Sequence, residues 1–159
     1  SGNLDPSVMI YLMEQYKDPA TVNDVVHKKS GVQGISGISS DLRDIEEEAE
    51  KGNPRAQLAF DMLCYGIRKY VGAYAAAMGG IDAVVFTAGI GENDPRIRAA
   101  ICARLGWAGV VLDAAANARN APVISAPGST ITVRVIPTDE ERMIALHTWH
   151  LLGEAERQR

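Results

Sequence analysis

The stretch VVFTAGIGENDPRIRAA, residues 84–100, decides how this chain folds. It begins as a β-branched apolar run, which is typical of a buried strand. Two glycines then flank Ile90, and Pro95 opens a basic, alanine-rich segment that suits a helix. The stretch therefore predicts a strand, a glycine turn and a helix. It leaves open whether the turn also binds a ligand.

The glycine turn lacks the marks of two common phosphate loops. The third glycine of G-x-G-x-x-G would fall at Asp94, and no Gly-Lys-Ser/Thr follows the turn. Glu92 and Asp94 would also repel a phosphate placed directly in the turn. The turn nevertheless puts backbone without Cβ atoms at the carboxyl end of a strand, where open α/β sheets bind ligands. A plain strand-to-helix turn and a ligand site both stay open, and Asn93 is a candidate cap for the next helix.

The rest of the chain has the pattern of a helix-rich α/β protein. Helices are predicted first, followed by an alternation of strands and helices with short connections. The Gly- and Ser-rich segment 30–40 is predicted to be a loop. The other predicted elements are a helix opening at Asp5-Pro6, a helix over 21–29 capped by Thr21, an acidic helix over 41–52, a helix over 54–78 with Leu58, Met62, Ile67, Tyr70, Val71 and Tyr74 in the core, strands at 83–87, 110–112 and 131–136, helices at 95–105 and 113–119, and a last helix reaching Leu152 before a frayed tail over 154–159.

Two further segments are candidate sites. Asp41 to Arg43 is explained by a helix N-cap followed by an exposed arginine. Thr138 and Glu141 fit a capping box for the last helix, which leaves Glu140 without a local structural role. A carboxylate at such a position can hold Mg²⁺, which favours one or two carboxylates together with phosphate oxygens. Taken alone, a solvated surface glutamate is the better explanation of Glu140.

Composition excludes several classes of function. The chain has 159 residues with a net charge of −4, which argues against a nucleic-acid partner. Its most apolar stretch, 71–88, is broken by glycines and Asp82 and is no membrane span. Cys64 and Cys102 lie in apolar helical patterns and are expected to be buried thiols. With no basic-then-apolar leader at its start, we expect a cytoplasmic protein without a membrane partner.

Taken together, the motifs closely resemble the signature of acetate kinases and the related propionate kinases. The matching segments occur in the family's order and cover nearly the whole chain, so the set is far more specific than any one motif. The segments are KKSG at 28–31, GISG at 34–37, SSDLRD at 39–44, IRKYVGAY at 67–74, DAVVFTAGIGEN at 82–93 and IPTDEE at 136–141.

The resemblance implies a fold, a reaction and a set of site residues. The fold is an incomplete RNase H-like domain of the actin, Hsp70 and sugar kinase superfamily, helix-rich with a small mixed sheet. The parent enzyme is a phosphotransferase with a carboxyl acceptor, which converts ATP and acetate to ADP and acetyl phosphate with Mg²⁺. Its partners are therefore a nucleotide and a short-chain carboxylate, and we expect a homodimer. The nucleotide-binding residues implied by the resemblance are Asp41, Leu42, Arg43, Gly89, Ile90, Gly91, Glu92 and Asn93, and the magnesium-side carboxylate is Glu140.

The sequence departs from the family pattern in what it lacks. A family member also has an N-terminal domain that carries the acetate site and a catalytic aspartate, and a first phosphate-contacting loop. Residues 1–159 are therefore expected to be the C-terminal domain portion, without the N-terminal domain, without the first strands of the C-terminal domain and without catalytic residues. Asp139 also stands where family members usually carry Asn. We expect no kinase turnover by this chain alone and at most weak nucleotide binding. The alternative is a stand-alone nucleotide-binding or dimerisation module without catalysis.

Overall fold

The computed structural model describes residues 4–157 of the chain. These residues divide into two compact units, and the second unit begins at Arg68. The long helix α5 starts in the first unit and ends in the second. The described residues are mostly helical and contain one two-stranded parallel sheet. The predicted helix-rich α/β character is confirmed at this level.

The first unit is built from helices. Segment 30–40 was predicted to be a loop, but it contains the short helix α3. Gly31 and Gly37 adopt left-handed backbone angles at its two ends. These glycines therefore delimit a helix and do not break one. The helices of this unit are α1 (Pro6–Tyr16), α2 (Pro19–Lys28), α3 (Gly31–Ser36), α4 (Leu42–Glu50) and the first part of α5 (Pro54–Met78).

Asp or Asn followed by proline starts three of these helices. The side chains of Asp5, Asp18 and Asn53 each accept hydrogen bonds from amides of the following turn. Such caps satisfy amides that have no partner inside the helix, and proline is well suited to the first helical position. Thr21, predicted as the cap of the second helix, instead donates its amide and its hydroxyl to Asp18. That helix accordingly begins at Pro19, before the predicted start.

The buried side of α5 differs from the predicted one. Within the first unit α5 buries Phe60 and Cys64 together with small alanines. Leu58 and Met62, which were predicted to be core residues, are exposed, and so are Tyr70 and Tyr74 in the second unit. Apolar residues lie on several faces of this helix, so periodicity alone does not identify the buried one. The core of the first unit consists of Val22, Leu42, Ile45, Ala56, Ala59, Phe60 and Cys64.

The second unit is organised around the parallel pair of strands. Val84 of β1 lies opposite Val133 of β2, and Val133 is fully buried. Isolated antiparallel bridges join Val123 to Arg134 and Leu112 to Ser125, so the predicted strand at 110–112 is reduced to a single bridge. After α5, this unit contains β1 (Ala83–Phe86), α6 (Ala88–Asn93), α7 (Pro95–Cys102), a 3₁₀ turn (Gly106–Ala108), α8 (Ala114–Ala118), β2 (Thr132–Val135) and α9 (Glu140–Arg157).

The last helix begins and ends differently from its prediction. The Asp139 carboxylate accepts the Arg142 amide at 2.9 Å, so Asp139 is the cap and the predicted capping box led by Thr138 is wrong. Helix α9 continues to Arg157, which makes 154–157 helical, whereas 158–159 lie outside the described residues. Across residues 4–157, none of the helices has the length and hydropathy of a membrane span. Cys64 and Cys102 are buried thiols, as predicted.

Candidate functional site

The glycine turn is itself a short helix with a strained first residue. Helix α6 follows β1 after Thr87, and its first residue, Ala88, has a φ of 59°. A left-handed backbone costs a residue with a side chain roughly 1–2 kcal/mol. Strain of this kind is concentrated at ligand-binding and catalytic positions, where the surrounding structure holds it in place. The strained residue lies at the carboxyl end of a parallel strand, where α/β proteins bind ligands.

The two glycines of the turn have different surroundings. A Cβ atom at Gly91 would lie 3.2 Å from the carbonyl carbon of Phe86 and 3.4 Å from its Cα, so close packing against this backbone favours glycine there. A Cβ atom at Gly89 would meet no described atom within 4 Å, and Gly89 does not have a left-handed φ. A helical glycine costs roughly 0.5–1 kcal/mol relative to alanine. The described fold therefore does not explain Gly89, which leaves bare backbone beside the half-exposed Ile90.

Asn93 closes α6 and does not cap the next helix. Its side-chain amide donates to the Gly89 carbonyl at 2.9 Å. The cap of α7 is Asp94, whose carboxylate accepts the amides of Arg96 at 2.9 Å and Ile97 at 3.0 Å. The candidate role of Asn93 as a cap is therefore wrong, since proline favours the residue directly before it as the cap.

Glu92 connects the glycine turn to the segment that precedes α9. Its Oε1 atom accepts the Thr138 amide at 2.8 Å and the Thr138 hydroxyl at 2.9 Å. These two hydrogen bonds, with the amide contributing most, lower the pKa of the Glu92 carboxyl. The contact brings the glycine turn together with the loop that leads to Glu140. It also gives the Glu92 carboxylate a structural role that the sequence did not predict.

Glu140 is the first residue of α9 and is exposed. Its side chain makes no hydrogen bond or ion pair within residues 4–157, so the fold leaves this carboxylate free. The described residues contain no group of three or more His, Cys, Asp or Glu side chains that could hold a metal ion. A cation at Glu140 would therefore need most of its ligands from a bound molecule and water.

Arg98 is a residue of this region that sequence reasoning missed. Its side chain is fully buried on α7, which packs against α6 and α8. The sequence signal was an arginine close to Ile97 and Ile101 in a helical pattern, and the structure shows that both isoleucines are buried. The guanidinium donates to the Gly91 carbonyl at 2.8 Å, the Glu92 carbonyl at 3.0 Å, the Asn117 side chain at 2.8 Å, the Asn117 carbonyl at 2.9 Å and the Asn120 side chain.

The remaining predicted site residues lie in the first unit. Asp41 caps α4 by accepting the Arg43 amide at 3.0 Å, and it also accepts Arg43 Nε at 3.1 Å and Nη2 at 2.6 Å. The Arg43 side chain, hydrogen-bonded to the carboxylate, holds the pKa of Asp41 at about 2. Leu42 is buried, whereas the Arg43 side chain is 89% exposed. The structure thus presents an oriented guanidinium at the surface of this unit.

Sequence comparisons identify relatives along nearly the whole chain. A family model described as "Acetokinase family" matches residues 1–146. The acetate kinase of Heliobacterium modesticaldum is 54% identical over 155 residues, which cover 95% of this chain and 38% of that protein. The acetate kinase of Caldicellulosiruptor saccharolyticus is 51% identical over 157 residues, with coverages of 96% and 39%.

Solved structures give the same result. The crystal structure of Porphyromonas gingivalis acetate kinase matches with a TM-score of 0.82 and 49% identity, over 96% of this chain and 39% of that one. A propionate kinase from Francisella tularensis subsp. tularensis matches with a TM-score of 0.80 and 34% identity, over 91% and 38%. The chain thus spans less than half the length of the relatives it matches.

Proposed function

This chain belongs to the acetokinase family, and from that premise we propose that it is the nucleotide-binding part of an acetate kinase. The parent enzyme transfers the γ-phosphoryl group of ATP to acetate, giving ADP and acetyl phosphate. Residues 1–159 form the C-terminal domain portion of that enzyme. Phosphoryl transfer requires an aligned nucleotide and neutralisation of charge on the transferring group. In this proposal the chain aligns the nucleotide, and the acceptor carboxylate binds elsewhere in the parent.

Gly89 is the observation that carries the proposal. It lies one residue after the strained Ala88, and a side chain there would meet no described atom. What sets Gly89 apart from another open helical glycine such as Gly72 is its place beside a strained residue at the carboxyl end of β1, where close approach of a ligand to the backbone explains it. The half-exposed Ile90 beside it offers an apolar contact to a base or a ribose. We therefore assign residues 89–93 to the adenosine side of the nucleotide.

The charges around the turn support an adenosine rather than a phosphate contact. Glu92 and Asp94 carry carboxylates close to the turn, and both are held by hydrogen bonds, from Thr138 and from the first amides of α7. Fixed carboxylates repel a phosphate at short range, whereas an uncharged base or sugar is compatible with them. The phosphates would then extend away from the turn.

Asp41 and Arg43 are the nucleotide-binding residues that we propose in the first unit. The Arg43 guanidinium is planar and is oriented by two hydrogen bonds to Asp41. A planar, weakly hydrated guanidinium can stack on a base or donate to it. The Leu42 side chain is buried, so Leu42 would contribute through its backbone and by anchoring its two neighbours.

Glu140 can provide one protein carboxylate for a Mg²⁺ ion whose other ligands are water and phosphate oxygens. The Glu140 carboxylate is exposed and is not used by the fold. Mg²⁺ usually keeps several waters and binds through one or two carboxylates plus substrate phosphates, so a single glutamate is sufficient on the protein side. When bound, the ion would neutralise phosphate charge, and Glu140 would orient it through water or directly.

The same premise supports two structural proposals. We assign the chain to an RNase H-like domain that is incomplete, which agrees with the small size of the parallel sheet. We also propose that the parent is a homodimer in which α5 contributes to the contact. Helix α5 exposes large apolar side chains, and exposed apolar surface of this kind favours burial against a partner. These side chains are Leu58, Met62, Tyr65, Tyr70, Tyr74 and Met78.

The two glycines of the turn provide a matched test of nucleotide binding. Gly89→Ala should fold at least as stably as the wild type, with a gain of roughly 0.5–1 kcal/mol, because alanine is favoured in a helix and nothing blocks its methyl group. Chemical shift changes caused by MgADP in an NMR titration of the 159-residue chain should nevertheless disappear. Gly91→Ala should instead lose stability in urea, because its Cβ would press on the Phe86 backbone.

Gly72→Ala is the control, because Gly72 is also a helical glycine with no described atom near its Cβ position. This variant should gain similar stability and keep the wild-type response to MgADP. An unchanged MgADP response in Gly89→Ala, or no response at all in the wild type, would contradict the proposed function.

A further inference from the structure

We propose that Arg98 is a positioning residue for nucleotide binding, which fixes the backbone of the glycine turn by holding the carbonyls of Gly91 and Glu92. This inference rests on the proposed function, because it assumes that the turn receives the nucleotide. Arg98 itself is fully buried, so it does not touch the ligand. It acts through the backbone that does.

The hydrogen bonds of Arg98 account for its whole guanidinium. An arginine side chain has five N–H donors, and the five acceptors around Arg98 match them in number. Each acceptor is a neutral carbonyl or amide oxygen. Burying a charge is costly unless its hydrogen bonds are satisfied, and burial lowers the pKa of Arg98 while the charge of Asp94 partly offsets this effect. Without these acceptors an apolar side chain would fill this position at lower cost, so the five acceptor oxygens explain the arginine.

Helix α6 depends on contacts of this kind. It has six residues, which is too short for a helix to be stable by itself in water. Its last carbonyls have no partner inside the helix, and a cation at this end complements the helix dipole. Its first residue is strained at Ala88. Arg98 therefore holds the end of the turn while the strained, open start remains free for the ligand.

The network extends from α6 to the start of α7 and the end of α8. Asn117 accepts from Arg98 through its side chain and its carbonyl, and its side-chain amide donates to the Pro95 carbonyl at 2.7 Å. Asn120 has a left-handed φ of 53°, which places its side chain where it accepts from Arg98. Because the guanidinium bridges two groups of acceptors on opposite sides, a lysine cannot replace it: one ammonium group cannot serve both sides.

The test combines hydrogen exchange with nucleotide affinity in the 159-residue chain. In Arg98→Lys, amides of α6 should exchange faster relative to those of β1, and the MgADP dissociation constant should rise roughly tenfold, the size expected when a hydrogen bond to a charged group is lost. Affinities are compared at a temperature where every variant is fully folded. Arg104→Lys is the control, because Arg104 is an exposed arginine just beyond α7, and it should change neither measurement.

Asn120→Gly keeps the proposal testable if Arg98→Lys does not fold. Glycine accepts the left-handed backbone and removes only one acceptor of Arg98, so both effects should be smaller but should keep the same pattern. Wild-type exchange of α6 relative to β1 in the folded variants would overturn the proposal. A loosened turn with unchanged MgADP affinity would overturn it as well, since Arg98 would then be purely structural.

Failure of the proposed function gives a different result. If the wild-type chain shows no MgADP response, the proposed function fails and the nucleotide part of the inference fails with it. The exchange pattern of α6 still decides whether Arg98 fixes the turn.

Discussion

The segment 41–43 in the first unit begins helix α4, and the turn 88–93 in the second unit forms helix α6 itself, but the fold uses their side chains differently. Asp41 caps α4 and pairs with Arg43, and Leu42 is buried in the core. A helix cap, an ion pair and a buried leucine all stabilise the fold, so segment 41–43 needs no ligand to explain it. In the turn, by contrast, Ala88 is strained and Gly89 has no described neighbour that requires glycine. Features that cost stability without a structural return are the stronger evidence for a ligand site.

The turn itself shows the same contrast between its two ends. Its start, at Ala88 and Gly89, is strained and open. Its end is held by the packing of Gly91 on Phe86 and by the hydrogen bonds of Glu92 and Arg98. A binding surface needs a fixed backbone together with an open face, and the two ends of the turn supply these separately.

Among the variants that test this contrast between segment 41–43 and the turn 88–93, Leu42→Ala is expected to change the free energy of unfolding the most. Leu42 is 7% exposed, and truncating a buried leucine typically costs about 2–5 kcal/mol. The free energy of unfolding in urea measures this loss. Leu58→Ala in the same unit is the control, because Leu58 is 43% exposed and its truncation should cost much less. A similar small loss in both variants would mean that folding does not explain segment 41–43, and the contrast with the turn would then disappear.

The sequence was sufficient for features that local chemistry determines. The Asx-Pro pairs at Asp5 and Asn53 correctly predicted helix starts, and the apolar run with Pro95 correctly predicted a strand and a helix on either side of the turn. Asp18-Pro19 carries the same signal, so the choice of Thr21 as a cap was an avoidable error.

Other features depend on contacts distant in sequence and could not be read locally. Thr138 and Asp139 are both acceptable caps, and Asp139 takes the role while Glu92, 46 residues before Thr138, binds the Thr138 amide and hydroxyl. Arg98 can be buried because Asn117, 19 residues later, accepts hydrogen bonds from its guanidinium. These partners are set by the tertiary fold.

The candidate site shows the same limit. The family resemblance implied that both Gly89 and Gly91 bind the nucleotide, and nothing in the sequence indicates which of the two glycines the fold itself needs. Only the packing of Phe86 distinguishes the one that the fold needs from the one that it leaves open. Likewise, the motif named Glu92 without indicating that its carboxylate binds Thr138. The assignment of these residues to a nucleotide stays a prediction.

Ala88→Gly tests the strain at the start of the turn, with a smaller expected effect than Leu42→Ala. Relief of the left-handed backbone should outweigh the lost chain entropy, which leaves a net gain of roughly 0.5 kcal/mol in the free energy of unfolding. Ala103→Gly is the matched control, since Ala103 is an exposed alanine with ordinary helical angles just after α7, and it should lose stability. Losses of equal size in both variants would show that Ala88 is not strained.

The ion pair of Asp41 and Arg43 should have the smallest effect on the fold, because the Arg43 side chain is 89% exposed and the Asp41 side chain is 40% exposed, so water and salt screen the pair. Carboxyl NMR should show Asp41 titrating at about 2, below its unfolded value of about 3.9. Its contribution to stability is therefore present above the unfolded pKa and is lost as the pH falls through about 2.

Arg43→Gln should raise the pKa of Asp41 without restoring the unfolded value, because the backbone amide of residue 43 still donates to Asp41. Lys51→Gln is the control, since Lys51 pairs with Glu47 and Glu48 and not with Asp41. An Asp41 pKa near the unfolded value in the wild type would mean that Arg43 is not held. Repeating the titration with MgADP tests the proposed role of Arg43: a nucleotide that recruits Arg43 changes the titration of Asp41, whereas one that contacts only the glycine turn leaves it unchanged.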